Sequence, residues 1–289
     1  MNNAIIKADN IFFGEGPRWH EGRLWFSDFH EHAIKSMGGA GDVRIEQRID
    51  DQPSGLGWLP DGRLLVVSMK ALKVLRQEGD GFVTHADLSA HAKHMCNDMC
   101  VDRTGRAWVG HFGFDLDAAL DARGPDKVLA DHPTASLLSV DPNGQVEVAA
   151  TEMHFPNGTV VADNGRTLIV AETLAMCLTA FDIAADGSLS NRRVWADLST
   201  RAAPDGICLN AEGNVWVANA MGPECLLVGP GGKILESVTT TQNCYACALG
   251  GDDGRELFML TAESSVASIT SSHRGGRVES VRVEVGMAR

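Results

Sequence analysis

Four residues with oxygen-bearing side chains recur at one phase of a repeated phrase in this chain: Glu15, Asn97, Asn157 and Asp205. Ser54 and Ala246 occupy the same phase in two further copies. Ser54, Asn97, Asn157, Asp205 and Ala246 each stand eight residues before a turn glycine, and Glu15 stands seven before Gly22. Two are carboxylates, two are carboxamides and one is a hydroxyl, with no Lys or Arg among them. Gathering Glu and Asp in a partly desolvated place is costly unless a cation or protons compensate. An all-oxygen set with two negative charges suits one hard divalent cation, Ca²⁺ first, with Mg²⁺, Mn²⁺ and Zn²⁺ open. Any one of these residues taken singly is more ordinary as a local backbone cap at a strand start. Their common phase is what favours the metal reading.

The elements that must position them are short strands. "GEGPRWHEGRLWFSD" begins at residue 14, "PSGLGWLPDGRLLVVS" at 53 and "CNDMCVDRTGRAWVG" at 96. "FPNGTVVADNGRTLIVAE" begins at 155, "APDGICLNAEGNVWVAN" at 203 and "CYACALGGDDGRELFMLTA" at 244. Each copy has a small or polar opening, an apolar alternating strand, a Gly turn and a second apolar strand. Six repeats at propeller-blade spacing predict an all-β, six-bladed β-propeller in a single domain spanning 1–289. The phase-matched residues then ring one mouth of the central channel. The longest gap, 112–133, is too polar for a blade strand and reads either as a lid insertion or as a solvated excursion. "DLDAALDA" at 115–122 is its helical candidate. One end of the chain, "AIIKAD" or "GRVESVRVEV", must pair with the other to close the ring.

The bulk numbers exclude several classes. A net charge of −13 is a poor match for nucleic acid or anionic membranes. No apolar run approaches the ~18 residues of a membrane span, and the N-terminal stretch has no secretory pattern. The seven cysteines follow no metal-binding spacing and sit in apolar runs, as small buried side chains do in a reducing compartment. The expectation is a cytoplasmic protein, a monomer or small homo-oligomer, acting on a small molecule. No Gly-x-Ser-x-Gly elbow or Gly-rich phosphate loop is present. Trp19, Trp58 and Phe155 read first as core and second as pocket wall.

"GEGPRW", "ND…VD…G", "FPNG" and "PDG", in this order, resemble the senescence marker protein (regucalcin)/gluconolactonase/luciferin-regenerating enzyme family over essentially the whole chain. The resemblance implies a six-bladed propeller with one divalent metal in the channel, held by Glu15, Asn157 and Asp205. It implies catalytic roles for Asp205, as general base, and for Asn97, which contacts substrate or a metal-bound water. Family members commonly open lactones, often sugar lactones. The nucleophile is a water, either metal-bound or oriented by Asp205. Sugar-lactone members often carry Arg two residues before the "ND" Asn, where this chain has Met95. A Met cannot donate hydrogen bonds to sugar hydroxyls. The expected substrate is therefore a lactone or related ester that is not highly hydroxylated. Met95, Ser54, Asn97 and His154 are the expected substrate contacts, with His154 either a proton shuttle or structural. Glu172 reads as a rim residue or a structural partner. Two other readings stand beside the lactonase: a metal-dependent isomerase or lyase on the same site, and a non-catalytic Ca²⁺-binding or scaffold propeller.

Overall fold

The computed structural model describes residues 2–288. Six sheets form the six blades of a β-propeller, each with four antiparallel strands; five blades take theirs in sequence, and the sixth draws its outer strand from the start of the chain. The innermost strands are Gly14–His20, Pro53–Trp58, Cys96–Val101, Pro156–Ala162, Pro204–Leu209 and Asn243–Gly250, in blades 1 to 6. Each touches the next, and the sixth touches the first, so they enclose a central channel.

The hairpin after each innermost strand turns on a glycine with positive φ, from Gly254 at 73° to Gly165 at 92°. Left-handed backbone costs glycine nothing, which is why these turns read so clearly. Asp102 Oδ1 and Asn210 Oδ1 cap two of the turns. They accept the N–H of Thr104 at 2.8 Å and of Glu212 at 3.0 Å.

Burial falls outwards along each blade. The second strand of blade 2, Leu64–Ser68, is buried throughout, whereas the outer strand of blade 1, Val43–Arg48, is mostly exposed. Apolar clusters fill the wedges between neighbouring blades. Trp108 closes the wedge between blades 3 and 4, and Trp216 that between blades 5 and 6. Alternating side chains on both faces of every sheet are what such wedges require.

The two candidate closing segments pair with one another. Ile5–Ile11 forms the outer strand of blade 6, antiparallel to Gly276–Arg282, with Ile5 opposite Ser280. Asn2–Asn3 adds in parallel to Ile234–Thr239 of blade 5. The 112–133 segment is a helical excursion between the second and third strands of blade 3. It contains helices Leu116–Arg123 and Pro125–Ala130. Asp115 Oδ1 caps the first by accepting Ala118 N–H at 3.0 Å.

Candidate metal and active site

All six innermost strands break register near their starts. The breaks fall between Glu15 and Arg18, Pro53 and Leu56, Cys96 and Met99, Pro156 and Thr159, Pro204 and Ile207, and Cys244 and Ala246. A bulge at that point turns a side chain out of the regular alternation. Ser54, Asn97, Asn157 and Asp205 sit within their bulges, Glu15 stands at the edge of its own, and all five are buried.

The residue after each lets neighbouring strands close in. A Cβ on Gly158 would lie 2.5 Å from Asp205 O, and one on Gly55 would lie 2.2 Å from Met99 N. Gly16 and Gly206 play the same part toward blades 2 and 6. The Glu-Gly, Ser-Gly, Asn-Gly and Asp-Gly pairs thus serve the channel as well as the mouth: the glycine brings strands together and the residue before it supplies the oxygen.

One arc of the ring is fully hydrogen-bonded. Ser54 Oγ donates to Asn97 Oδ1 at 3.1 Å, and Asn97 Nδ2 donates to Asn157 Oδ1 at 3.0 Å. Asn157 Nδ2 donates to Thr173 Oγ1 at 3.3 Å, whose hydroxyl donates to Pro204 O at 2.8 Å. These bonds orient the carboxamides and leave Asn157 Oδ1 a free lone pair.

The other arc is different. Asp205 Oδ1 is buried with no hydrogen-bond partner, and Glu15 Oε2 accepts only from the backbone N–H of its neighbour Gly16, at 3.1 Å. Burial pushes Asp205 well above the usual carboxylate range, and the charge of Asp98 adds to it. Burial likewise raises Glu15, followed by the charges of Asp205 and Asp98. Two buried carboxylates, both raised by burial and the second raised further by the charge of the first, one with an orphaned oxygen, are short of positive charge. A hard divalent cation supplies it. Glu15, Asp205 and Asn157 Oδ1 therefore fit such an ion by their chemistry. Among the described residues no group of three or more His, Cys, Asp or Glu side chains is gathered as a metal site. The set here has two carboxylates and draws its third donor from a carboxamide.

Sequence reasoning overlooked two charged neighbours. Asp98 is buried behind Asn97, and Arg18 Nη2 reaches it at 3.6 Å. The same guanidinium donates to Met99 O, spanning from blade 1 to blade 3 across the channel. A cation is thus present in the channel, three residues below Glu15, although none is in the ring. The available signal was the repeat itself: at the phase where four copies carry Gly, the third carries Asp98.

An apolar collar flanks the strand starts that carry the ring. Phe13, Phe29, Met69, Tyr245 and Ala262 belong to one cluster, with Met95, Phe112 and Ala220 packed against it. Met95 stands just before Asn97's strand, and its carbonyl accepts Phe112 N–H at 2.8 Å. Phe155 packs on Phe112 with ring centroids 4.6 Å apart. Of the three aromatic residues read as core, Phe155 is buried, whereas Trp19 and Trp58 are half-buried and stack on Phe258 and His20.

His154 sits at the rim, and its Nδ1 lies 3.0 Å from Nε2 of His132, which comes from the excursion. Since His132 Nδ1–H donates to Val128 O at 2.8 Å, the bridging proton belongs to His154. Glu172 is a structural partner: it accepts His154 N–H at 2.7 Å and pairs with Arg192 at 3.1 Å. The excursion reaches the opposite blade, where Asp117 Oδ2 accepts Ala267 N–H at 3.3 Å. At the other end of the channel is an open cavity of about 880 Å³, lined by Arg18, Trp19, Thr159 and Cys208 and by none of the ring residues.

Residues 13–263 match the family model described as the SMP-30/Gluconolactonase/LRE-like region. Regucalcin of Danio rerio is 31% identical over 170 residues, covering 57% of this chain. That match spans 54% of the relative's own length, or about half of it. Among solved structures, a luciferin-regenerating enzyme superposes with a TM-score of 0.81 at 19% identity, over 99% of this chain and 97% of that one. A calcium-binding protein, regucalcin, from Agrobacterium tumefaciens gives 0.79 at 18% identity, over 98% and 94%. At these identities the two structures establish a shared fold.

Proposed function

The chain belongs to the SMP-30/Gluconolactonase/LRE-like family, and on that footing we propose that it is a divalent-metal-dependent lactonase whose substrate is poor in hydroxyl groups. The observation that carries the metal is Asp205 Oδ1, buried without a partner beside a second buried carboxylate, Glu15. Glu15, Asn157 and Asp205 would hold the ion. When bound, it supplies a Lewis acid for the substrate carbonyl and for the charge that develops there.

The chain's own residues do the rest. Asn97, fixed by Ser54 and Asn157, has a second N–H to orient a substrate oxygen. Asp205 takes a proton from the attacking water. The water oxygen bonds to the carbonyl carbon, the ring C–O bond breaks, and the departing alkoxide takes up the proton that Asp205 removed, which returns the carboxylate. The product is the open hydroxy acid. Met95 and Phe112, half-buried and backed by Phe155, offer carbon surface to a substrate, which favours alkyl or aryl substituents over polyols. The excursion, linked to the far blade through Asp117, acts as a cover that keeps water from the site.

The test is hydrolysis of a lactone panel, from gluconolactone to alkyl lactones, followed with a pH indicator. Each lactone is assayed in EDTA, then with Ca²⁺, Mg²⁺, Mn²⁺ or Zn²⁺ restored, with Asp205→Ala as control. Metal-restored turnover that is best on apolar lactones and lost in the variant is expected. A protein that binds the ion but opens no lactone would overturn the hydrolase and leave an isomerase, a lyase or a binding propeller.

A further inference from the structure

The site chemistry leaves the cysteines of blades 5 and 6 unused. All seven cysteines are free thiols, and Cys208, Cys225, Cys244 and Cys247 pack into one cluster between these two blades. Cys208 Sγ and Cys247 Sγ lie 3.7 Å apart. They project from neighbouring innermost strands that are already in backbone contact, since a Cβ on Gly206 would lie 2.7 Å from Ala246 Cα. A disulfide needs a sulfur separation of about 2.05 Å, so the pair must close by less than ~2 Å.

Access is unequal, and it singles out this pair. Cys225 and Cys244 are fully buried and Cys247 nearly so. Cys208 is half-buried and lines the lower-channel cavity of about 880 Å³, which is open to solvent. A small oxidant entering from below meets Cys208, and Cys247 waits behind it as the resolving thiol. Cys247 Sγ also lies 3.6 Å from Gly206 O and 3.5 Å from Trp216 O. Gly206 follows Asp205, so the thiol touches the strand that presents the ring carboxylate.

We infer that Cys208 and Cys247 form a reversible redox pair, oxidised to a cross-blade disulfide by small hydroperoxides that enter through the lower channel. In the first step Cys208 Sγ attacks the peroxide's distal oxygen. The O–O bond breaks, the thiol proton leaves with the departing oxygen as an alcohol or water, and Cys208 becomes a sulfenic acid. In the second step Cys247 Sγ attacks Cys208 Sγ. The S–O bond breaks, and the hydroxyl leaves as water with the Cys247 proton. Two thiols and one hydroperoxide give one disulfide, one alcohol (or water) and one water. The bond staples blades 5 and 6 and withdraws the Cys247 thiol from Gly206 O.

The full-length protein is treated with excess hydrogen peroxide, quenched, and examined by intact mass, thiol titration and non-reducing peptide mapping. The expected result is a loss of two hydrogens and two titratable thiols, a linked Cys208–Cys247 peptide, and full reversal by dithiothreitol. Cys208→Ser should abolish the link and leave Cys247 as a thiol. The wild-type peptide map stands by itself should that variant fail to fold. An unchanged thiol count, oxygen added to Cys208 without a link, or a link among other cysteines would each overturn the inference.

Discussion

Asn97 Nδ2 donates to Asn157 Oδ1 at 3.0 Å, joining blades 3 and 4 at the channel mouth. The two carboxamides are sixty residues apart in sequence and hold one another's orientation. Asn97→Ala removes this bond and the acceptor for Ser54 Oγ, leaving two buried polar groups unpaired at about 1–3 kcal/mol each. Activity should fall ~10–100-fold in kcat with the cation still bound. Calorimetric titration of the ion beside steady-state kinetics separates the two effects, and unchanged kcat would remove Asn97 from the site.

Asp205→Asn should act on stability in two opposed ways. It removes a buried carboxyl group that burial raises and whose charge raises Glu15, so the metal-free protein should melt higher than wild type. It also removes a ligand. Ca²⁺ at ~100 times its Kd stabilises a single-site protein by about 2.7 kcal/mol, and that rise should disappear in the variant. Thermal unfolding with and without Ca²⁺ measures both. A wild-type midpoint indifferent to Ca²⁺, Mg²⁺, Mn²⁺ and Zn²⁺ would end the metal reading.

Two glycines seven residues apart should respond unequally to alanine. At Gly158 a Cβ would lie 2.5 Å from both Asp205 O and Ile207 N, with only backbone to give way. The expected loss is ~3 kcal/mol or more, or no soluble protein. At Gly165, with φ of 92° and nothing within 4 Å, only backbone strain of about 1 kcal/mol is expected. Urea unfolding of both variants gives the comparison.

Acid should loosen blade 1 through Glu31. Burial by itself would raise this carboxyl, but hydrogen bonds from Arg274 at 2.6 Å and Lys35 at 2.6 Å, with Arg48 at 3.1 Å, hold it at about 2 against an ordinary 4.5. A carboxyl depressed in the folded state stabilises above its unfolded pKa and loses that contribution as pH falls. The loss runs from about pH 4.5 down to about 2. Glu31→Gln should be less stable than wild type at pH 7 and converge with it near pH 2. Parallel melting curves at all pH values would contradict this.

Met95→Arg places a donor fork at the collar. The ratio of kcat/KM for gluconolactone over an alkyl lactone should rise at least ~10-fold, mostly by loss of the apolar substrate. A substrate order that does not move would show that Met95 lies off the binding path.

The fold was legible because its repeat is written twice in every blade, as period-two strands and as glycine turns with positive φ such as Gly62 and Gly213. The candidate ring was legible for the same reason: Glu15, Asn157 and Asp205 share a phase, and a propeller converts phase into position. What phase does not encode stayed hidden. Asp98 and Arg18 meet across the channel from blades 3 and 1, and His132 reaches His154 from the excursion.

Composition and periodicity alone thus determined six blades, a mouth lined with oxygen and an interruption at 112–133. The first two depend on local rules that each repeat obeys independently, and the third is where one repeat departs from them. Only the tertiary structure decided which terminal strand closes the ring, that the excursion reaches Ala267 on the opposite blade, and that Asp205 Oδ1 has no partner while Asn157 has two. Those outcomes depend on distances between residues far apart in the chain. At the ring, the close strand contacts allowed by Gly16, Gly55, Gly158 and Gly206 set those distances.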